Sequence, residues 1–186
     1  PKGVEISHRG VANLALTQQV SLCCGPGARV LQFAPLSFDA SYWELSLALL
    51  TGATLVLGDP EQLVPGPDLA AFVTQSQITH ATLSPAALSV TDDQGLFQGG
   101  TLVTAGEACS GGLRARWAGG RRFVNAYGPT ETTVCASLTD ALTSEEHEPS
   151  IGRSVAGAQC MVLDEQLFPA PAGVVGDLYV SGDGLA

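Results

Sequence analysis

The stretch VNAYGPTETTVC, residues 124–135, decides how the rest of the chain is interpreted. It overlaps the run RFVNAY, residues 122–127, which has the short apolar pattern of a buried strand. Gly128-Pro129 breaks that strand, because glycine accepts positive φ while proline fixes φ and lacks an N–H donor. Hydroxyls and the Glu131 carboxylate then follow a strand end, where open α/β sheets bind ligands. On these residues alone, an ordinary surface turn capped by a threonine explains the pattern equally well.

Strands alternate with short helices before this stretch. Apolar spacing after Val4 predicts a helix from about Ser7, with Ser7 as its N-cap. Further strands are predicted at 29–34, 54–57, 80–83, 101–105 and 122–127, and further helices at 42–50, 68–75, 84–90 and 110–118. Because such alternation builds parallel strands, the fold class is α/β, with a mostly parallel sheet flanked by helices. Its binding site is expected at the carboxyl ends of the strands.

The alternation stops after Val134. An acidic, solvated loop is predicted at 138–149, and strands at 159–163 and 177–180 follow with no helix between them. This change predicts the start of a second sheet or small barrel near Ile151. We therefore divide the chain into a central α/β part, residues 1–150, and a β-rich segment of the same core, residues 151–186.

Composition and charge narrow the class of protein. The net charge of −10 argues against a nucleic-acid partner, since no basic stripe is present to neutralise phosphates. The five cysteines are odd in number and lack CxxC spacing, which argues against a disulfide framework or a zinc site and favours reduced thiols in the cytoplasm. No apolar run approaches the roughly 20 residues of a membrane span, so no membrane partner is expected.

Three strand ends are predicted to converge beside the opening stretch, at Phe38-Asp39, at Thr82 and at 103–107. Asp39 precedes an apolar helix, where aspartate is a favoured N-cap. The alternative is a buried carboxylate that binds a cationic ligand group, because an unpaired buried charge is costly. Glu107 lies either near a ligand or in solvent, and His80 is interpreted as a strand residue satisfied by packing.

Four ordered motifs carry a family resemblance along the whole chain. They are PKG at 1–3, FDAS at 38–41, NAYGPTE at 125–131 and GDLYVSGDGLA at 176–186. Together they resemble the adenylation domains of nonribosomal peptide synthetases, which belong to the adenylate-forming acyl-CoA ligase and luciferase superfamily. The resemblance implies the fold of the N-terminal subdomain of such enzymes, truncated at both ends.

The resemblance implies roles toward ATP and Mg²⁺. Tyr127 would stack on the adenine ring, with Gly106, Glu107 and Ala108 as the opposite wall and Asn125 at the adenine edge. Thr130 would contact the α-phosphate, and Glu131 would hold the metal ion. These two roles suit a hydroxyl and a hard oxygen ligand, which makes Thr130 and Glu131 the implied catalytic residues.

The resemblance also implies an amino-acid pocket. Its positions read Asp39, Ala40, Trp43, Thr82, Val103, Ala105, Ala126, Gly128, Val134 and Cys135. This set is similar to that of phenylalanine-activating domains such as the one in gramicidin S synthetase, departing conservatively at Val103 and Val134. Asp39 would bind the α-ammonium group, while the small and aromatic lining suits a large apolar side chain. Such a pocket rejects an added hydroxyl only weakly, so tyrosine and β-substituted phenylalanine stay open.

The implied reaction joins an aromatic amino acid to ATP and passes the aminoacyl group to a phosphopantetheine thiol. The partners would be peptidyl carrier and condensation domains of the same assembly line. Both chain ends look cut, because the phosphate loop that should precede Pro1, the ribose-binding aspartate and the C-terminal lysine are not in the sequence. We therefore expect a piece of a longer polypeptide that forms no adenylate by itself.

Two other functions remain open from the sequence. One is a different adenylate-forming enzyme, such as a CoA ligase for an aryl or fatty acid. The Asp39 carboxylate distinguishes it, because an acid without an α-ammonium group would leave that charge unpaired. The other is a non-catalytic binding fragment, against which the presence of Thr130 and Glu131 argues.

Overall fold

A central β-sheet with helices on both faces carries most of the chain in the computed structural model, which describes residues 3–186. The helices are α1 His8–Ser21, α2 Asp39–Thr51, α3 Pro67–Gln75, α4 Pro85–Val90 and α5 Gly111–Trp117. The strands are β1 Arg29–Gln32, β2 Thr54–Leu57, β3 His80–Leu83, β4 Thr101–Thr104, β5 Arg122–Tyr127, β6 Ser137–Leu138, β7 Arg153–Ser154, β8 Ala158–Leu163 and β9 Asp177–Gly182. A 3₁₀ turn spans Thr130–Thr132. Pro1 and Lys2 of the PKG motif lie outside the described residues.

The main sheet has seven strands in the order β2-β1-β3-β4-β5-β6-β7. The first five are parallel, whereas β6 and β7 pair antiparallel at one side. The order reverses between β1 and β3, which is the switch point at which open α/β sheets form a crevice. The carboxyl ends of β3, β4 and β5 therefore lie side by side. The predicted α/β fold with a mostly parallel sheet is confirmed.

Alternate strand residues face opposite layers of helices, as the twofold repeat of a strand requires. Leu31, Leu102 and Phe123 pack in one cluster with residues of α3, α4 and α5. Their sequence neighbours Val30, Val103 and Val124 pack in a second cluster with α1 and α2. Because both faces are covered, consecutive apolar residues occur within β1, β4 and β5, which is why these sequences lack strict alternation.

The end of β1 differs from its prediction. The strand was expected over 29–34 but ends at Gln32, because the next two N–H groups bond to a side chain instead. The amide groups of Phe33 and Ala34 donate to the Glu44 carboxylate at 3.0–3.2 Å. Glu44 therefore ends β1 and directs the chain into the loop that leads to α2.

Helix α2 also begins earlier than predicted. It starts at Asp39, and Phe38 occupies the N-cap position. The interpretation of Asp39 as the N-cap is therefore wrong, since this residue already lies in the first helical turn. The predicted stop at Gly52 is confirmed by its left-handed conformation, with φ of 78°. At the start of α1, Ser7 occupies the predicted N-cap position, but its side chain makes no capping hydrogen bond.

The second sheet consists of β8 and β9, which pair antiparallel over six residues each. It begins at Ala158 and not near Ile151, because β7 still pairs with β6 in the main sheet. The predicted acidic loop also begins later than expected, since Leu138 lies in β6 and is buried. Over residues 3–186, no helix is both long enough and apolar enough to cross a bilayer.

Candidate active site

A narrow pocket lies where α2 meets the carboxyl ends of β3, β4 and β5. We call it the inner pocket. Its lining is Ala40, Trp43, Thr82, Val103, Ala105, Gly106, Ala126, Tyr127, Gly128, Val134 and Cys135. The lining includes every predicted amino-acid-binding residue except Asp39. The cavity measures about 40 Å³, well below the roughly 150 Å³ of an engineered cavity that binds benzene. A group the size of a benzene ring therefore needs lining side chains to move before it fits.

The walls of the inner pocket are mostly apolar, and two of its side chains are hydrogen-bonded to each other. The Trp43 indole N–H donates to the Thr82 hydroxyl at 2.9 Å, which joins α2 to β3 across the pocket. Cys135 is buried, and burial raises the pKa of its thiol to about 12. The Cys135 thiol therefore stays neutral at ordinary pH and serves as a small apolar wall.

A wider space, which we call the outer cavity, lies directly beside the inner pocket. Its lining is Gly106, Glu107, Ala108, Cys109, Asn125, Ala126, Tyr127, Gly128, Pro129, Glu148, Pro149 and Ile151. The volume is about 450 Å³, within the usual range for small-molecule sites of roughly 300–1,000 Å³. Gly106, Ala126, Tyr127 and Gly128 line both spaces. The end of β5 is therefore a wall shared by two adjacent sites.

Three residues predicted to face the nucleotide, Glu107, Asn125 and Tyr127, line the outer cavity. The Asn125 side-chain amide donates to the Ser150 carbonyl at 2.9 Å and so holds the wall that carries Pro149 and Ile151. Glu107 accepts a hydrogen bond from the Ala86 amide in the first turn of α4, at 3.2 Å. Tyr127 leaves 39% of its surface exposed, so its ring is accessible for stacking.

Three other predicted residues lie beside the cavities and are absent from their linings. Asp39 is half-buried next to Ala40, at the start of α2. Thr130 and the exposed Glu131 follow the shared wall, in the 3₁₀ turn. Within residues 3–186, no three His, Cys, Asp or Glu side chains cluster to hold a metal ion. A single carboxylate such as that of Glu131 suits Mg²⁺, which commonly binds one or two carboxylates together with substrate phosphates and water.

The loop between β5 and β6 is folded tightly against its own start. A Cβ at Gly128 would lie 2.6 Å from both the Val134 carbonyl and the Ala136 amide, so only glycine fits there. Thr133 and Val134 have left-handed φ of 55° and 69°. Positive φ is unfavourable for β-branched residues, which makes this pair a local outlier. Both lie in the loop that follows the shared wall, and Val134 lines the inner pocket.

One wall of the outer cavity is formed by the segment between β6 and β7. The buried Arg114 of α5 ties this segment down through the Thr143 carbonyl, the Glu145 carboxylate at 2.9 Å and the His147 ring at 2.7 Å. Gly111, at the start of α5, allows the Glu146 carbonyl to approach where a Cβ would overlap it. This anchoring fixes Glu148, which lines the cavity.

Comparison with known proteins identifies the family. The model of the family described as AMP-binding enzyme matches residues 1–186, the whole chain. The chain belongs to the AMP-binding enzyme family. Among curated relatives of this AMP-binding enzyme, the probable non-canonical nonribosomal peptide synthetase CymA of Salinispora arenicola is 53% identical. Bacitracin synthase 3 of Bacillus licheniformis is 47% identical. Both matches cover all of this chain but only 2% and 3% of those proteins, respectively.

Solved structures give the same family of folds. The four-domain nonribosomal peptide synthetase holo-AB3403, bound to AMP and glycine, matches with a TM-score of 0.88 and 32% identity. That match covers all of this chain and 14% of the larger one. The N-terminal subdomain of NpsA from Klebsiella oxytoca, in complex with 3-hydroxyanthranilyl-AMSN, matches with a TM-score of 0.78 and 28% identity, covering 49% of that chain.

Sequence reasoning missed several residues of this AMP-binding enzyme that shape the site. Glu44 positions the loop before α2, yet its sequence context is an apolar helix with no signal for a role. Glu148 lies in an acidic run that predicts only a solvated loop. Pro149 and Ile151 carry no chemical signal at all. The sequence signal that could have found Glu44 is its position within an apolar run, because a carboxylate buried there needs polar partners.

Proposed function

We propose that this chain forms the substrate-binding centre of an adenylation domain that activates an aromatic amino acid, with phenylalanine as the first candidate. The domain would convert the amino acid and ATP to aminoacyl-AMP and pyrophosphate. It would then pass the aminoacyl group to the phosphopantetheine thiol of a peptidyl carrier domain, beside a condensation domain in the same cytoplasmic assembly line. Membership of the AMP-binding enzyme family and the synthetase relatives support this proposal.

One observation carries the proposal: the inner pocket and the outer cavity share the end of β5 as a wall. Two substrates bound on opposite sides of Ala126, Tyr127 and Gly128 are held at a fixed separation. Positioning of this kind accounts for much of the rate in a reaction between two bound substrates. The AMP and glycine bound together in the holo-AB3403 structure are consistent with this arrangement.

The outer cavity is the proposed nucleotide site. Tyr127 would stack on the adenine, with Gly106, Glu107 and Ala108 opposite and Asn125 at the edge of the base. Thr130 would contact the α-phosphate through its hydroxyl. Glu131 would hold Mg²⁺, which when bound neutralises phosphate charge. Asn125 donates one amide hydrogen to Ser150, which leaves its second N–H and its amide oxygen available to the base.

The inner pocket is the proposed side-chain site. Trp43 supplies an aromatic wall, while Ala40, Ala105 and Ala126 keep the lining small. The half-buried Asp39 at the rim would pair with the α-ammonium group. An aromatic side chain needs more room than the cavity of about 40 Å³ offers, so binding would require lining rotamers to shift. Such shifts are common when ligands bind.

The chemical step needs little covalent help from the protein. A carboxylate oxygen of the amino acid attacks the α-phosphorus, the bond to the β-phosphate oxygen breaks, and pyrophosphate leaves with that electron pair. The carrier thiol then loses its proton to solvent and attacks the acyl carbon of the aminoacyl-AMP; the bond from that carbon to the phosphate oxygen breaks, and AMP leaves with its electron pair. Asp39, Thr130 and Glu131 would align the groups and offset charge, which are the main contributions expected for such a displacement.

Amino-acid-dependent pyrophosphate exchange tests the proposal in a complete adenylation domain that carries this sequence. We expect phenylalanine to support exchange and benzoate or cinnamate to support none. Asp39→Ala should raise the KM for the amino acid at least about 30-fold, because losing one partner of a charge pair that the bound ligand covers costs about 2 kcal/mol or more. Asp68→Ala is the matched control, since Asp68 occupies the first turn of α3. Unchanged exchange by Asp39→Ala refutes the role of Asp39.

A second candidate function is activation of an aryl acid without an α-ammonium group. The NpsA subdomain was solved with 3-hydroxybenzoyl-AMSN, an aryl ligand, at a TM-score of 0.74 and 26% identity. The same assay separates the two candidates. Exchange with benzoate or cinnamate but not with phenylalanine would favour the aryl-acid function and reject the amino-acid function.

A further inference from the structure

The segment after β9 is hydrogen-bonded to the loop that carries the proposed catalytic residues. The Thr133 hydroxyl donates to the Gly184 carbonyl at 2.7 Å, and the Ala186 amide donates to the Glu131 carbonyl at 2.9 Å. Thr133 is buried, with 4% of its surface exposed. Its bond to Gly184 spans 51 positions of the chain. It therefore joins the β8–β9 unit to the site on the main sheet.

Thr133 begins a strained part of the backbone. The Cys135 amide donates to the Thr133 carbonyl at 2.8 Å, which closes a three-residue turn around Val134. With φ of 69° at Val134, this is the rarer and more strained kind of γ-turn. Such conformations persist only where surrounding contacts determine them, and they cluster at functional sites. Val134 lines the inner pocket, so the strain lies in its wall.

Helix α1 leaves space for the Thr133 hydroxyl. A Cβ on Gly10 would overlap Thr133 Oγ1, and it would lie 3.3 Å from the Gly184 Cα. Gly10 is buried inside α1, where alanine is the more favourable residue for a helix. The missing side chain at this position allows Thr133 and Gly184 to meet. Three separate elements therefore converge on one hydroxyl.

We propose that Thr133 is a positioning residue for amino-acid activation. Its hydroxyl bond to Gly184 holds the γ-turn that places Val134 in the inner pocket. It also fixes the segment whose Ala186 amide bonds to the Glu131 carbonyl, beside the outer cavity. Thr133 touches neither cavity, so it acts through these two residues. The inference rests on the proposed function, because it assigns the inner pocket to the amino-acid side chain.

The test uses a complete adenylation domain that carries this sequence and compares four variants. Thr133→Val keeps the shape and β-branching but removes the hydroxyl, whereas Thr133→Ser keeps the hydroxyl. Gly10→Ala perturbs the same bond from α1. Thr101→Val is the matched control, because Thr101 is also buried and its hydroxyl donates to a distant carbonyl, that of Leu22, at 2.8 Å. Thr101 lies at the amino end of β4, away from the site.

The readouts are the separate KM values for amino acid and ATP, together with kcat and the melting temperature. We expect Thr133→Val and Gly10→Ala to raise the amino-acid KM about tenfold or more, since small displacements in a site have large kinetic effects. Thr133→Ser should stay close to the parent. Thr101→Val should lower only the melting temperature. Kinetics of Thr133→Val equal to those of Thr101→Val would overturn the inference.

The outcome for Thr133 is distinguishable from the outcome for the proposed function. If the unsubstituted domain activates an aryl acid and no amino acid, the proposed amino-acid function is rejected. Thr133→Val and Thr133→Ser are then compared with that acid as substrate. A raised KM in the valine variant alone still supports positioning by Thr133, whereas equal values in both variants overturn it.

Discussion

Glu44 is a carboxylate that lies entirely inside the protein, with 0% of its surface exposed. It accepts hydrogen bonds from the Phe33 and Ala34 amides and from the Gln32 side chain. Burial raises the pKa of this carboxyl to about 7, from 4.5, although the hydrogen bonds from the amides oppose the rise. The carboxyl therefore fixes the loop before α2 and at the same time makes folding sensitive to pH.

The pH dependence of stability follows from this pKa. The unfolded chain loses the Glu44 proton near pH 4.5 and the folded chain only near pH 7. The stabilisation that comes from tighter proton binding in the folded state is therefore fully present below pH 4.5. It is lost as the pH rises to about 7. Between pH 5 and pH 8 we expect this group to lower the free energy of unfolding by about 2–3 kcal/mol.

Glu44→Gln, which stays neutral, should remove that decline, whereas Glu61→Gln at an exposed position should retain it. Urea unfolding at pH 5 and pH 8 measures the difference. A Glu44→Gln variant with the same pH dependence as the parent would show that Glu44 is not its source.

At the scale of secondary-structure elements, the start of α5 offers a paired test of packing. A Cβ at Gly111 would overlap the Glu146 carbonyl, while a Cβ at the adjacent Gly112 would meet nothing within 4 Å. Gly111→Ala should therefore destabilise the protein by about 1–3 kcal/mol, as overpacking does. Gly112→Ala should stabilise it by about 0.5–1 kcal/mol, because alanine is favoured over glycine in a helix. Thermal unfolding of both variants checks this, and equal melting temperatures would contradict the close packing of α5 on this segment.

The elements show what the sequence can predict. The stop at Gly52 and the break at Pro129 were predicted because their signals are local: a positive φ or a missing donor acts on the residue itself. The expected positive φ at Gly128 was wrong, since glycine is required there by the close approach of the Val134 carbonyl and the Ala136 amide. The early end of β1 was not predicted, because its cause is Glu44, a side chain ten and eleven positions further along the chain. Local patterns do not contain such tertiary hydrogen bonds.

The candidate site shows the same division. The lining of the inner pocket was predicted from the family resemblance. No single residue of that lining predicts a pocket by itself. The wall at Pro149 and Ile151 was missed, since it is held by the bond from Asn125 to Ser150 across 25 positions. The start of the second sheet was misplaced because two-residue strands such as β7 have too little sequence to show a period.

At the scale of the whole molecule, the two sheets should differ in local stability. β4 is buried along its length, whereas most residues of β8 and β9 are exposed or half-buried. A two-stranded unit is marginally stable unless it packs on something else. We expect amides in β4 and β5 to exchange with deuterium about 100-fold or more slowly than those in β8 and β9. Hydrogen-exchange mass spectrometry measures this, and uniform protection would indicate a single cooperative unit.

The indole–hydroxyl bond between Trp43 and Thr82 restricts how this pocket can change its preference during evolution. Replacing Trp43 alone leaves the Thr82 hydroxyl without its partner in an apolar wall, and an unpaired polar group there is unfavourable. Replacing Thr82 alone leaves the indole N–H unpaired in the same way. A lineage that exchanges one side-chain preference for another at these positions passes through a less stable intermediate, unless both residues change together. We therefore expect the two positions to covary, although they lie 39 residues apart.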